Sequence, residues 1–268
     1  MVVAALVLAV GAISLTLQST SKPTLVEAAG PEVPSAPTTT TTVARPTTTS
    51  TLKPSTTSST STTVVVAEPA EGTLRRGDRG TEVLALQRDL RALGYWLGGS
   101  DETYGYLTEQ AVTAFQKVEG LAPDGVAGPA TRAALAEADR PSTSATGDLV
   151  EVDKARQVLF VVRSGKVAWT LNVSTGTERP YQVNGRTELA DTPPGRWTVG
   201  WAVDGVDTGE LGALYRPRYF HEDGIAVHGY HSVPNYPASH GCVRVTEAAM
   251  DWIWSQNLMP LGSAVWVH

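Results

Sequence analysis

GIAVHGYHSVPNYPASHGCVRV, residues 224–245, holds the only cysteine in a chain of 268 residues. Two short alternating runs frame it. In residues 224–230, Ile225 and Val227 take every second position, so Ala226, His228 and Tyr230 share the opposite face of a strand. In residues 242–245, Val243 and Val245 face a core, and Cys242 and Arg244 share the accessible side. If the two strands are neighbours, Cys242, Arg244 and His228 converge. The apolar pattern therefore argues against Cys242 as a buried filler.

A thiol of ordinary pKa, about 8.5, is mostly protonated at neutral pH. An imidazole beside it can take the proton and leave a low-pKa thiolate, the competent nucleophile. Two histidines qualify. His240 is the closer in sequence, two residues before Cys242; His228 lies on the other strand, and the residues alone do not favour it. Gly241 permits a tight backbone and offers bare amide donors for a developing oxyanion. Arg244 is placed to pair with a substrate carboxylate. Nucleophile, base, oxyanion donors and clamp together describe acyl transfer.

The surrounding stretch, 148–268, reads as mainly β. QVLFVV (157–162), a turn at 163–166 and VAWTLNV (167–173) form a hairpin. RWTVGWAV (196–203) alternates, which puts Trp197, Val199, Trp201 and Val203 on one core-facing side. AVWVH (264–268) is a further short strand. One helix, from Thr246 to about Gln256, turns Met250, Ile253 and Trp254 inward. LYRPRYF (214–220) reads as a loop whose Tyr215, Tyr219 and Phe220 either wall a cleft or simply pack. His221 and His231 read as surface loop residues, and His268 has no assigned role. The expected fold is β-sandwich-like with a short helix.

Residues 73–138 read differently. Val83, Leu84, Leu86, Leu90 and Leu93 recur at helical spacing and stop at Gly94. Ala111, Val112, Phe115 and Val118 repeat the pattern behind Thr108, an expected N-cap, with Gly120 closing it. A third helix opens at Gly128-Pro129 and buries Leu135. This is a small all-α three-helix domain with one core, joined to the β part by a linker at 139–147.

Upstream, 20–72 is dominated by Thr, Ser, Pro, Ala and Val, too poor in apolar surface to offset ordering entropy, and is expected to be a disordered linker. Residues 2–17 carry no charge, so 1–19 reads as a signal peptide or a membrane anchor. The formal net charge of −6 and the lack of any Lys/Arg run give no electrostatic footprint for nucleic acid. A single cysteine excludes an intramolecular disulfide.

Two families are resembled. LRRGDRGTEVLALQRDLRALGYW and YGYLTEQAVTAFQKVEGLAPDGVAGPATRAAL are similar to a three-helix peptidoglycan-binding domain, through Gly77, Gly80, Val83, Leu86, Gln87, Leu90, Leu93 and Gly94, then Tyr104, Thr108, Ala111, Val112, Phe115, Gln116, Asp124, Gly125 and Gly128. HGYHSVPNYPASHGCVRV resembles the signature of the L,D-transpeptidases, the YkuD-type catalytic domain. VSTGT (173–177) and TPPGRWTV (192–199) resemble that family's Thr-Gly and Thr-Pro-x-Gly segments. The gap from His228 to Cys242 is short for the family and suggests a trimmed loop.

The resemblance implies Cys242 as nucleophile and His228 as base, with His240 and Gly241 supporting the oxyanion. Substrate contacts are expected at Arg244, Ser239, Gly229 and Tyr219, and no cofactor or metal is expected. The implied partner is peptidoglycan, both stem peptides and glycan. The implied reaction expels a terminal D-alanine from a stem tetrapeptide and forms a cross-link between third residues. Water as acceptor gives carboxypeptidase activity instead. Carbapenems would acylate the same thiol. The implied location is extracytoplasmic, in the cell wall or periplasmic space. A zinc hydrolase using His228, His231, His240 and Cys242 is the competing class, and a non-catalytic wall-binding module is a third.

Overall fold

The computed structural model describes residues 72–268, all within one compact unit, Val64–His268. The apolar segment 2–17 and nearly all of the Thr/Pro-rich stretch lie outside the described residues. Among the described residues, no helix is long and apolar enough to cross a membrane.

The chain opens with α1 (Thr81–Ala92), α2 (Tyr106–Val118) and α3 (Pro129–Glu137). Val83, Leu86 and Leu90 of α1 meet Val112 and Phe115 of α2, as the spacing predicts. Gln87 and Gln116 are buried beside them and act as clamps. The Gln87 amide donates to Thr103 O and Thr108 Oγ1 and accepts from Asp101 N. Gln116 holds the Asp124–Val126 turn in the same way. Thr108 is not the N-cap expected of it. Gly105 caps α2, and Thr108 sits a turn inside, accepting from Gln87.

The β part runs β1 (Leu149–Asp153), β2 (Val158–Arg163), β3 (Lys166–Asn172), β4 (Pro180–Val183), β5 (Arg186–Leu189), β6 (Gly195–Thr198), β7 (Trp201–Ala202), β8 (Val206–Gly209), β9 (Gly212–Tyr219), β10 (Ala226–Tyr230), β11 (Val243–Thr246), α4 (Glu247–Ser255) and β12 (Ala264–Val267). One sheet has the order β3-β2-β1-β12-β6. A second has β11-β10-β9-β7, with β8 also on β9, and β4-β5 stands as a separate hairpin. Val150, Val152, Leu159 and Val161 of the first sheet meet Val227, Val243 and Val245 of the second, with Met250 and Ile253 of α4. The β2–β3 turn places Ser164 and Gly165 both at positive φ, the geometry a two-residue hairpin needs. Thr246 caps α4 by accepting from Ala249 N.

The helices do not keep a core to themselves. Leu149, Phe160, Val162 and Val167, on the outer face of the first sheet, join Leu90, Tyr95 and Phe115 in one cluster. β1 and the first five residues of β2 are thus buried on both faces. The chain after α1 also caps the free edge of β3. Gly94, at φ 84, ends the helix and turns residues 94–96 onto the strand, where Thr170 N donates to Gly94 O and Trp96 N to Thr170 O. Residues 139–147 carry no helix or strand, and Arg140 ties them to Ala92 O and Ala168 O.

Two expectations for 196–220 are corrected. The run Arg196–Val203 is not one strand. Val199 N pairs with Ser263 O and Gly200 N with Tyr219 O, so the chain changes sheets there. The alternation breaks at that corner, and Trp201 emerges 43% exposed rather than in the core. The stretch 214–220, read as a loop, largely lies in β9. Pro217 argues against a strand, but it follows Arg216 at φ 50, at a local irregularity that leaves the flanking ladder intact.

Candidate active site

β10 and β11 are parallel neighbours. Val227 lies opposite Val243, His228 opposite Arg244 and Gly229 opposite Val245. The valines fill the core between the sheets. His228 and Arg244 project the other way, and Cys242, two residues before Arg244, falls on their side. All three line one cleft of about 540 Å³. The convergence expected from alternation is therefore present.

His228 is 2% exposed. Its Nδ1 lies 2.9 Å from Gly229 O, and a carbonyl only accepts, so Nδ1 carries the hydrogen and Nε2 keeps its lone pair. Burial, with Arg244 nearby, pushes its pKa down to about 4. Cys242 does not fit the low-pKa expectation. Desolvation pushes its thiol up, only partly offset by the Ala226 backbone and the Arg244 charge. The thiol donates weakly to Gly224 O at 3.8 Å. At rest the pair is a neutral thiol and a neutral imidazole.

The turn before Cys242 is held from three sides. Ser239 Oγ donates to Cys242 O (2.5 Å) and accepts from Gly241 N (3.0 Å). Thr192 Oγ1 donates to Gly241 O (2.5 Å) and accepts from Gly176 N (2.9 Å). Thr175 O receives both Ala238 N and Ser239 N, and Gln157 brackets Thr175 at Oγ1 and N. Gly241 has φ 143, and a Cβ there would sit 2.7 Å from Asp191 O.

These contacts describe three residues of the expected site. The Gly241 N–H is already given to Ser239, so it is not a bare oxyanion donor. The Ser239 hydroxyl is engaged within the turn, where it clamps backbone, and the residue also lines the cleft. Gly229 does not face the cleft. Its α-carbon packs against Tyr215 and α4, and its carbonyl orients His228.

Arg244 stacks its guanidinium 4.2 Å over the Tyr230 ring and donates to Ala238 O. Tyr219 lines the cleft, stacks on Trp201 (4.5 Å, 13°) and donates to Asp207 Oδ2. Tyr215 instead bonds Asp251, and Phe220 is core. His240 is exposed in the cleft wall, its ring 4.6 Å from that of Tyr181. His221 packs under Trp197, and His231 is exposed. His268 meets Glu151 through Nε2. Among the described residues, no three or more His, Cys, Asp and Glu are placed so that they could hold a metal ion together.

The cleft walls were missed in the sequence. The β4–β5 hairpin supplies Tyr181, Val183 and Glu188. β8 and the start of β9 supply Asp207 and Gly209–Leu214. Asn184-Gly185, both at positive φ, is the strongest short hairpin signal and would have located the first wall. With Glu188, Asp207, Glu210 and Asp223 against Arg244, the cleft is net acidic.

Residues 147–267 match the YkuD family, the L,D-transpeptidase catalytic domain. Residues 79–135 match a peptidoglycan binding domain family, PG_binding_1. A crystal structure of an L,D-transpeptidase from Xylanimonas cellulosilytica is 46% identical, with TM-score 0.71, covering 75% of this chain and 100% of that one. The N-acetylmuramoyl-L-alanine amidase CwlL of Bacillus licheniformis is 44% identical over 80 residues, 28% of this chain. The chain spans only 22% of that amidase. The chain belongs to the L,D-transpeptidase family: a helical peptidoglycan-binding region followed by a mainly-β catalytic domain.

Proposed function

We propose that Cys242 is the nucleophile and His228 the base of a peptidoglycan L,D-transpeptidase acting outside the cytoplasm. The observation that carries this is the gathering of Cys242, His228 and Arg244 in one cleft, with His228 and Arg244 on adjacent parallel strands and Cys242 just before the second. His228 Nε2 takes the thiol proton as the thiolate attacks the carbonyl of the third residue of a stem tetrapeptide. The imidazolium returns the proton to the departing D-alanine amine, leaving a thioester on Cys242. The amine of a second stem's third residue attacks the thioester, forms the new amide and frees the thiol. Water in its place gives a shortened monomer, the carboxypeptidase variant with the same nucleophile.

The neutral resting pair suits this order of events. A charged pair would be costly in so buried a site, and proton transfer is deferred until the carbonyl is in place. Arg244 is the candidate for a stem carboxylate, and the acidic walls favour an incoming ammonium. The helical region would raise the local concentration of wall polymer. Carbapenems are expected to acylate Cys242.

The test is to incubate the full-length chain and its Cys242→Ala variant with a disaccharide-tetrapeptide and weigh the products. A dimer lacking one D-alanine, made by wild type alone, supports the transpeptidase. A shortened monomer supports the carboxypeptidase. Equal products from both proteins remove Cys242 from the chemistry.

A further inference from the structure

Helix α2 carries a second buried face. Val112 and Phe115 point into the cluster shared with α1. On the opposite side Tyr106, Gln110 and Lys117, four and seven residues apart, form one stripe. Gln110 and Lys117 on it are only 8% and 9% exposed. The stripe meets the chain that joins the His228 strand to the Cys242 turn.

At Val233 in that connection, both backbone groups are taken by α2 side chains. Val233 N donates to Tyr106 Oη at 2.7 Å, and Gln110 Nε2 donates to Val233 O at 3.2 Å. Gln110 Oε1 also accepts from Asn172 Nδ2 at 2.7 Å. Lys117 Nζ donates to Asn172 Oδ1, Gln157 O and Val173 O. Two residues further on in the connection, Asn235 Nδ2 donates to Pro123 O.

The segments so held are the ones that fix the motif. Ser174, next to Val173, donates its hydroxyl to Tyr236 O and pairs its backbone with Arg244. Gln157 and Thr175 lead to Ala238 and Ser239. A hydrogen-bonded path therefore runs from α2 to both sides of Cys242. Burial pushes the Lys117 amine down to about 7, although all three of its partners are acceptors suited to the ammonium.

We infer that Tyr106, Gln110 and Lys117 are positioning residues of the active site, so that α2 braces the Cys242 turn and does more than dock the chain on the wall. This rests on the function proposed above. A misplacement of about 1 Å at a reacting group can cost a hundredfold in rate, so the brace should register in turnover and not in substrate affinity.

The experiment compares full-length wild type with Tyr106→Phe, Gln110→Met and Lys117→Met. It reads kcat and KM on the tetrapeptide, the iodoacetamide alkylation rate of Cys242, and Tm. Expected is a fall in kcat of about tenfold or more, with KM within about twofold and Tm well above the assay temperature. Unchanged kcat in all three, or a loss confined to KM, overturns the proposal. If Gln110→Met or Lys117→Met fails to fold, Tyr106→Phe, which removes one oxygen, decides alone. If wild type itself turns nothing over, the proposed function fails, yet alkylation still tests the brace: a rate changed at least about threefold in Tyr106→Phe supports it, and equal rates overturn it.

Discussion

Thr192 donates its hydroxyl to the carbonyl of Gly241 while accepting from the amide of Gly176, and it is fully buried. One side chain thus pins the cysteine turn to the segment after β3. Thr192→Val keeps the shape and leaves a buried donor and acceptor unpaired, which costs about 1–3 kcal/mol for each such group. Urea unfolding should show that loss, with activity falling alongside it. Thr192→Ser should retain most of both.

His228 gives a pH signature. Its folded pKa is about 4 against an ordinary 6.5, so the unfolded chain binds the extra proton first. The stabilisation is present above pH 6.5 and is lost as pH falls towards 4, levelling off below that. The shift corresponds to about 3 kcal/mol. Unfolding midpoints of wild type and His228→Gln between pH 4 and 7 should diverge in slope, wild type falling more steeply. Parallel slopes would mean that the imidazole is not buried neutral.

The raised Cys242 thiol predicts sluggish alkylation at neutral pH. The rate should climb only beyond the ordinary thiol range. Arg244→Ala removes a charge that draws the thiol down, so its rate profile should move to still higher pH. A plateau already reached at pH 7 would contradict the resting pair described above.

Trp201 and Tyr219 form a stacked wall on the cleft. Such a pair is worth about 1 kcal/mol. Trp201→Ala should therefore lower the unfolding free energy by about that much, which urea unfolding can resolve.

Much of this site was legible because strand alternation is a strict geometric rule. Val227, Val243 and Val245 alone placed His228, Arg244 and Cys242 on one face, and the structure agrees. The helical pattern placed Val83, Leu86, Leu90, Val112 and Phe115 equally well. What alternation cannot carry is a corner. Across Val199-Gly200 the period survives in the letters while the chain leaves one sheet for the other, so Trp201 was misplaced. An amphipathic pattern likewise assigns the Tyr106, Gln110 and Lys117 stripe to solvent, since nothing local announces that a second surface covers it. The engagement of Gly241 N by Ser239 depends on side-chain rotation in a tight turn, which no residue count encodes.

The first sheet has an order of assembly written into it. Its central pair is β1 beside β12, in parallel, Leu149 against Ala264. Strands so distant along the chain close the sheet late, because the intervening loop entropy must be met before the contact forms. Until the last strand arrives, β1 presents an open, apolar edge, the kind of edge that recruits foreign strands. A chain emerging from the ribosome cannot therefore complete this sheet piecemeal. The sheet should close in a late event, once β12 has emerged.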